Sequence, residues 1–258
     1  MFKHLAPEKL FSLAGRTVLI TGGAGGIAEG LAHAFAAAGA RIMLADRNPT
    51  VEARAAALHA EGAEVQSVLM DVTSEADIAR VIAGTRDAFG GLDILVNNAA
   101  IIVRKPFLEL TQAEWQKVMD INVTACFTMA QHAAPGMIAQ GWGRIINLGS
   151  IMNHVSRPML VPYVTSKGAI SAFTRALAAD LAGTGVTINA LAPGYTVTEF
   201  SQAGNKEFHD FIAGWTPARR WGLPDDLCGP AMLLASDAGA YINGHTLYVD
   251  GGFLAVTR

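Results

Sequence analysis

The chain has 258 residues, of which 51% are hydrophobic and 16% are charged, and its formal net charge is −3. This composition supports a large hydrophobic core and excludes a disordered chain. The slight acidity gives no electrostatic basis for binding nucleic acid or an anionic membrane, and no uncharged apolar stretch approaches the roughly 20 residues of a membrane span.

Short β-branched runs alternate with longer, alanine-rich helical patterns along the chain. Strands are predicted at Thr17–Ile20, Arg41–Ala45, Val65–Met70, Ile94–Val96, Arg144–Leu148, Thr187–Leu191 and Thr246–Val249. Helical patterns lie near 27–38, 50–60, 75–89, 111–139, 162–182 and 224–235. This alternation predicts a single α/β domain over residues 1–258, a doubly wound, Rossmann-type parallel sheet of seven strands with helices on both faces.

Several residues mark where the predicted helices begin and end. Thr111 and Glu114 have the spacing of a capping box, which starts a helix. Gly39 and Gly62 follow helical runs at the position where a left-handed residue ends a helix.

The segment 195–223 is the longest connection without a clear period. It carries aromatic residues among polar ones: Phe200, Phe208, Phe211, Trp215 and Trp221. Because it follows a strand late in an α/β domain, we predict a lid or a wall of a substrate site. A packed surface excursion or a subunit contact is the alternative.

A glycine-rich turn between the first strand and the first long helix predicts a dinucleotide site. Glycines at this place let the backbone approach a pyrophosphate, whose charge the helix N-terminus meets. Asp46 ends the second strand 24 positions after Gly22, the spacing of a carboxylate that binds ribose hydroxyls. Such a carboxylate repels a 2′-phosphate and favours NAD over NADP, although Arg47 beside it could bind one.

Tyr163 and Lys167 stand four residues apart in a helical pattern and would therefore share one helix face. An ammonium group near a phenol stabilises the phenolate, so we expect Tyr163 to exchange a proton nearer neutral pH than its ordinary pKa of about 10. The alternative is a surface Tyr–Lys pair on an amphipathic helix.

Six ordered motifs together resemble the short-chain dehydrogenase/reductase family over nearly the whole chain. They are Thr21–Ala28 (TGGAGGIA), Asp71-Val72, Asn97–Ala100 (NNAA), Asn122 with Ser150, Tyr163–Lys167 (YVTSK) and Pro193–Thr198 (PGYTVT). Ala28 and Ala100 stand where the family usually has glycine, which affects expected cofactor affinity rather than fold.

The resemblance implies an NAD(P)-dependent oxidoreductase in which Tyr163 is the general acid/base for an alcohol–ketone interconversion. Lys167 would lower the pKa of Tyr163 and hold the nicotinamide ribose, and Ser150 would bind the reacting oxygen. Asn122 would hold a water that relays protons from Lys167; the alternative for Asn122 is a bond to its own helix backbone. The implied cofactor-binding residues are Gly22, Gly25, Gly26, Ile27, Asp46, Arg47, Asp71, Val72, Asn98, Ala99, Ala100, Tyr163, Lys167, Pro193, Gly194, Thr196 and Thr198.

The expected substrate is a sugar acid or polyol. Segments 216–227 and 244–252 are similar to the family branch that contains gluconate 5-dehydrogenases and 2-deoxygluconate dehydrogenases. Arg104, His154 and Arg157 lie in loops near the expected site, where cations would suit a carboxylate; a solvated surface role is the alternative. Two further hypotheses are a 3-oxoacyl-thioester reductase that uses NADPH and a non-catalytic dinucleotide-binding sensor or scaffold.

Localisation and assembly are also expectations. The N-terminal residues lack the apolar segment of a signal peptide, and two cysteines cannot form a disulfide framework, so we expect a cytoplasmic protein. The histidines show no ligand spacing such as HExxH, and we expect no metal site. The resemblance implies a homotetramer whose subunits pack through the helices at 111–139 and 162–182.

Overall fold

In the computed structural model, which describes residues 6–199, 201 and 205–256, seven parallel strands form one sheet. The strands are β1 (Thr17–Thr21), β2 (Arg41–Asp46), β3 (Val65–Leu69), β4 (Ile94–Asn97), β5 (Gly143–Leu148), β6 (Val186–Pro193) and β7 (Thr246–Val249). Their order is β3-β2-β1-β4-β5-β6-β7, so the chain starts at the centre of the sheet and reverses direction between β3 and β4. The predicted doubly wound parallel sheet is confirmed.

Helices cover both faces of this sheet. In the described part of the chain they are α1 (Pro7–Leu10), α2 (Gly26–Ala37), α3 (Thr50–Ala60), α4 (Glu75–Phe89), α5 (Gln112–Met119), α6 (Ala125–Ala139), α7 (Val161–Asp180), α8 (Lys206–Trp215) and α9 (Pro224–Ala235). Helices α2, α3 and α9 contribute to the core on one face, and α4, α6 and α7 contribute to the core on the other.

The side chains of β1 show why the sheet needs both helical layers. Val18 and Ile20 point into the core beneath α2 and α9, while Leu19 points to the opposite core, and all three are fully buried. A parallel strand buried on both faces is expected to be a continuous apolar run rather than an alternating one.

The predicted helix ends are confirmed. Thr111 Oγ1 accepts a hydrogen bond from the Glu114 N–H, and the Glu114 carboxylate accepts one from the Thr111 N–H, which together form the capping box. Gly39 and Gly62 have φ values of 89° and 95°, the left-handed conformation that ends α2 and α3.

Two predictions about the helices need correction. The single helix predicted at 111–139 is broken by a π-helical turn at Asp120–Thr124 between α5 and α6. The connection predicted without regular structure at 195–223 contains helix α8, which Asn205 caps by accepting a hydrogen bond from the Phe208 N–H. Phe200, which was assigned to the same connection, lies outside the described residues.

None of the described helices combines the length and the apolar character needed to cross a membrane.

Candidate functional site

A cavity of about 940 Å³ lies at the carboxyl ends of the strands. Its walls come from the segments that follow β1, β2, β3, β4, β5 and β6, and these surround the reversal of strand order between β1 and β4. In doubly wound sheets this is where ligands bind. All the residues that the resemblance assigns to the cofactor line it: Gly22, Gly25, Gly26, Ile27, Asp46, Arg47, Asp71, Val72, Asn98, Ala99, Ala100, Tyr163, Lys167, Pro193, Gly194, Thr196 and Thr198.

The glycine turn after β1 fits a dinucleotide pyrophosphate. Gly22 has a φ of 66°, and a Cβ there would lie 2.9 Å from the Ala99 Cα, so a larger residue would be strained and would collide. At Gly25 and Gly26 an added Cβ would meet nothing closer than 3.4 Å, which leaves room above the turn. No side chain caps the N-terminus of α2, so its first N–H groups suit an anionic ligand.

Thr21 and Asn98 join this turn to the end of β4. The Thr21 hydroxyl oxygen accepts hydrogen bonds from the Asn98 and Ala99 N–H groups, both at 3.1 Å. The Asn98 side-chain amide donates to the carbonyls of Thr21 and Gly22, both at 3.0 Å. Asn97 differs, since its amide donates to Asn147 inside the sheet. Asn98 therefore lines the cavity and braces the turn, while Asn97 links neighbouring strands.

Two carboxylates lie along the half of the cavity near β2 and β3. Asp46 accepts hydrogen bonds from the N–H groups of Ala24 at 3.1 Å and Asn48 at 2.9 Å, which fixes its carboxylate beside the glycine turn. Asp71 accepts from the N–H and the hydroxyl of Thr73, and these hydrogen bonds lower the pKa of Asp71. Arg47 lines the same cavity, and its positive charge also lowers the pKa of Asp71.

Ser150, Tyr163 and Lys167 meet on the other half of the cavity. Ser150 follows β5, and its hydroxyl is hydrogen-bonded to the Tyr163 hydroxyl. Tyr163 and Lys167 lie on one face of α7, as predicted, with the Lys167 Nζ 5.6 Å from the Tyr163 ring centroid. The Lys167 ammonium group donates to the Leu148 carbonyl at 2.6 Å and is 3% exposed. Neither residue belongs to a solvated surface.

The expected effect of Lys167 on Tyr163 is not what this structure shows. Burial raises the pKa of Tyr163 to about 12, against the opposing effects of the Ser150 hydrogen bond and the positive charge of Arg104. Burial also lowers the pKa of Lys167 to about 8. The reason is that desolvation disfavours the charged form of both groups, and the amine is directed at the Leu148 carbonyl.

Asn122 lies in the π-helical turn and is 1% exposed. Its side-chain oxygen accepts from the Ile101 N–H at 2.8 Å, and its amide donates to the Ile101 carbonyl and to Ser166 Oγ. The alternative of a bond between its side chain and its own helix backbone is therefore wrong. The π-helical turn, a feature frequent at functional sites, directs Asn122 across to the loop after β4.

The three cationic candidates differ in position. Arg104 and Arg157 line the cavity with Ser150 and Tyr163. His154 is not among the described residues that line it, and its ring packs against Tyr248 with centroids 5.2 Å apart. The structure therefore brings the two arginines to the site and leaves the histidine outside.

The segment 195–223 forms an aromatic side of the same cavity. Tyr195, Phe208 and Trp221 line it and pack edge to face, with centroid distances of 5.3 to 5.9 Å. Tyr195 was assigned to no substrate role in the sequence analysis, and its place within the Pro193–Thr198 motif was the available signal. We call Tyr195, Phe208 and Trp221 the aromatic wall.

A dinucleotide-binding sheet with a partly buried phenol and a buried hydroxyl and amine in one cavity defines an NAD(P)-dependent oxidoreductase. The family model described as Enoyl-(Acyl carrier protein) reductase matches residues 22–254. The chain belongs to the short-chain dehydrogenase/reductase family, which confirms the resemblance.

Relatives of known name and structure agree with this assignment. The chain is 38% identical to gluconate 5-dehydrogenase of Gluconobacter oxydans, over 94% of this chain and 96% of that protein. It is 37% identical to 2-dehydro-3-deoxy-D-gluconate 5-dehydrogenase of Escherichia coli, over 95% of this chain and 98% of that one. It is also similar to the crystal structure of a gluconate 5-dehydrogenase from Burkholderia cenocepacia in complex with NADP and tartrate, with a TM-score of 0.93, 39% identity and coverage of 98% and 100% of the two chains.

Proposed function

We propose that the protein interconverts a secondary alcohol and a ketone on a sugar acid, with NAD as the preferred cofactor and Tyr163 as the general acid/base. The observation that carries the proposal is that Tyr163, Ser150 and Lys167 share one cavity with the glycine turn. When bound, the nicotinamide cofactor supplies the hydride acceptor or donor. The side chains of this chain then have to hold the reacting oxygen and move its proton.

In oxidation, the Tyr163 oxygen takes the proton of the substrate hydroxyl while the C–H bond breaks with its electron pair; in reduction, Tyr163 returns a proton to the oxygen. Ser150 is hydrogen-bonded to Tyr163 and so is placed to donate to the same substrate oxygen. Lys167 supplies a nearby positive charge when protonated. A positioned acid/base typically contributes about 10²–10⁴-fold to the rate.

Substitution of Tyr163 by Phe tests this role, because it removes the hydroxyl and keeps the ring. We expect Tyr163→Phe to lower kcat by at least about a hundredfold while the affinity for NADH, measured by fluorescence titration, stays near that of the wild type. Turnover close to wild type would remove Tyr163 from the mechanism.

We propose that Asn122 acts in the proton relay as a positioning residue. Its side-chain amide joins the π-helical turn to Ile101 and to Ser166, the neighbour of Lys167. The water that the resemblance assigns to Asn122 would therefore lie beside this turn, with Asn122 holding the turn in place.

The preference for NAD rests on Asp46. Two backbone N–H groups fix its carboxylate on the cavity rim, where it suits ribose hydroxyls and repels a 2′-phosphate. Arg47 beside it is the residue that could receive such a phosphate, and the Burkholderia relative is described as an NADP complex. Comparing kcat/KM for NAD and NADP decides the matter. A strong preference for NADP refutes this interpretation of Asp46.

The sugar-acid substrate is supported by the positive charges of Arg104 and Arg157, which line the cavity, and by the names of the relatives. We expect NAD reduction with gluconate or a related acid in a screen of sugar acids, polyols and secondary alcohols. Reduction of 3-oxoacyl thioesters with NADPH, without turnover of any sugar acid, would favour the alternative function.

We further propose a cytoplasmic homotetramer. Both cysteines are unpaired, which fits a reducing compartment. Phe127 on α6 is 49% exposed and packs edge to face with Phe173 on α7, which supports an apolar surface on these two helices that a second subunit would cover. Light scattering that gives a monomer at micromolar concentration would contradict the assembly.

A further inference from the structure

Arg157 is held between two members of the aromatic wall. Its guanidinium carbon lies 4.1 Å from the centroid of Phe208 on α8, and it lies close enough to the Tyr195 hydroxyl to lower the pKa of that group against the effect of burial. All three residues line the cavity together with Ser150 and Tyr163. The loop that follows Ser150 thus places a cation against the wall that faces the substrate.

No ion pair in the described part of the chain neutralises the positive charge of Arg157. Among the described residues no carboxylate lies within ion-pair distance of it. Arg220, in the segment 195–223, shows the contrast, because Asp226 binds both of its terminal nitrogens at 2.6 and 2.7 Å. A ring and a phenol orient a guanidinium without cancelling its charge, so Arg157 keeps donors and charge for an anion.

We propose that Arg157 is the specificity-determining residue that selects a carboxylate-bearing substrate, an inference that rests on the function proposed above. A guanidinium matches the two oxygens of a carboxylate in a planar, two-bond pair. Phe208 and Tyr195 hold the guanidinium in advance, which reduces the side-chain entropy lost when substrate binds.

Two fixed points would then determine which hydroxyl of a polyhydroxy acid reacts. Ser150 and Tyr163 hold the reacting oxygen, and Arg157 holds the carboxylate on the side of the aromatic wall. A substrate held at both points presents one carbon for hydride transfer. Arg104 also lines the cavity, but its positive charge acts on the Tyr163 hydroxyl, so we assign the carboxylate to Arg157.

The test compares gluconate with sorbitol, which carries a neutral CH₂OH in place of the carboxylate. We measure kcat/KM for both with NAD in the wild type, Arg157→Gln and Arg157→Lys. We expect the gluconate-to-sorbitol ratio to fall by about 10- to 100-fold in Arg157→Gln, as for the loss of one charge-assisted contact. Arg157→Lys should recover part of the gluconate-to-sorbitol ratio, because lysine keeps the positive charge but cannot form the planar, two-bond pair with a carboxylate.

Lys206→Gln is the matched control. Lys206 lies on α8 and is 88% exposed, so this variant removes one positive charge from the same segment without touching the cavity. The gluconate-to-sorbitol ratio of kcat/KM in Lys206→Gln should stay within about twofold of the wild-type ratio, as expected for a screened surface charge. Phe208→Leu removes the ring that orients Arg157, and we expect it to raise KM for gluconate more than for sorbitol.

The outcomes separate this inference from the proposed function. If the wild type has no preference for gluconate over sorbitol, both the sugar-acid function and the role of Arg157 fail. If the wild type prefers gluconate and Arg157→Gln keeps that preference, the function stands and the role of Arg157 is refuted. An equal loss of kcat/KM for gluconate and sorbitol in Arg157→Gln would also refute the role of Arg157 in selection, because Arg157 would then only organise the aromatic wall.

Discussion

The pKa values of Tyr163 and Lys167 predict a specific pH profile for oxidation. Burial raises the pKa of Tyr163 to about 12 and lowers that of Lys167 to about 8. The form competent for oxidation has a phenolate at Tyr163 and an ammonium group at Lys167. Below about pH 8 the dominant form has a neutral phenol at Tyr163 and an ammonium group at Lys167, which is one proton more than the competent form carries. The competent fraction therefore rises about tenfold with each pH unit.

Above about pH 8 the rise should stop. Lys167 has then lost its proton, and the dominant form, phenol with neutral amine, carries as many protons as the competent form. Their ratio no longer depends on pH, and the competent form stays the minor one because the phenol of Tyr163 has a higher pKa than the ammonium group of Lys167. We therefore expect kcat/KM to increase about a hundredfold from about pH 6 to about pH 8 and then to level off.

The assay records initial rates of NAD reduction at low substrate concentration, since kcat/KM reports the groups of the free enzyme. Lys167→Arg is the diagnostic variant, because arginine stays charged to about pH 12 and should abolish the plateau whatever its absolute rate. Circular dichroism at both ends of the range controls for unfolding. A wild-type profile already flat from about pH 6, or a unit slope that continues beyond about pH 9, would refute the reasoning.

Two further variants test the turn and the opposite end of the sheet. Gly22→Ala should weaken NADH binding and cost about 1–3 kcal/mol of unfolding free energy, because the residue is left-handed and its Cβ meets Ala99; calorimetry showing unchanged affinity would contradict this. Trp142 contacts the guanidinium groups of Arg16 and Arg144, whose central carbons lie 3.6 and 4.2 Å from the ring centroid. Trp142→Leu should cost about 1–3 kcal/mol in denaturant unfolding with kcat unchanged, and a large loss of kcat would show that this end is coupled to the site.

The sheet could be predicted from sequence because its local and tertiary requirements agree. The central strands β1 and β5 are buried at every position, so each carries adjacent apolar residues, at 18–20 and 145–146, between helical patterns. The same topology places the residues after each strand at one edge, which is why motifs distant in sequence line one cavity.

Other features were missed for identifiable reasons. The π-helical turn inserts one residue into a helix. Apolar residues in a helix recur at spacings of either three or four, so one extra residue leaves the apolar pattern of the sequence unchanged. Helix α8 did have a signal, because Phe208, Phe211, Ile212 and Trp215 repeat at helical spacing after Asn205. Its neighbouring glycines and polar residues obscured the period.

The pKa of Tyr163 could not be predicted from the four-residue spacing, because spacing gives neighbours and not their exposure to water. Tyr163 packs against a small cluster of Ile151, Met152 and Leu160, which comes from the loop before α7. Burial acts with opposite sign on an acid and a base: it raises the pKa of the phenol and lowers that of the amine, so deeper burial favours the neutral pair. Only groups that favour the phenolate directly can oppose this, and in this cavity they are the hydroxyl of Ser150 and the charge of Arg104. The ease with which Tyr163 gives up its proton should therefore depend on these two residues at least as much as on Lys167.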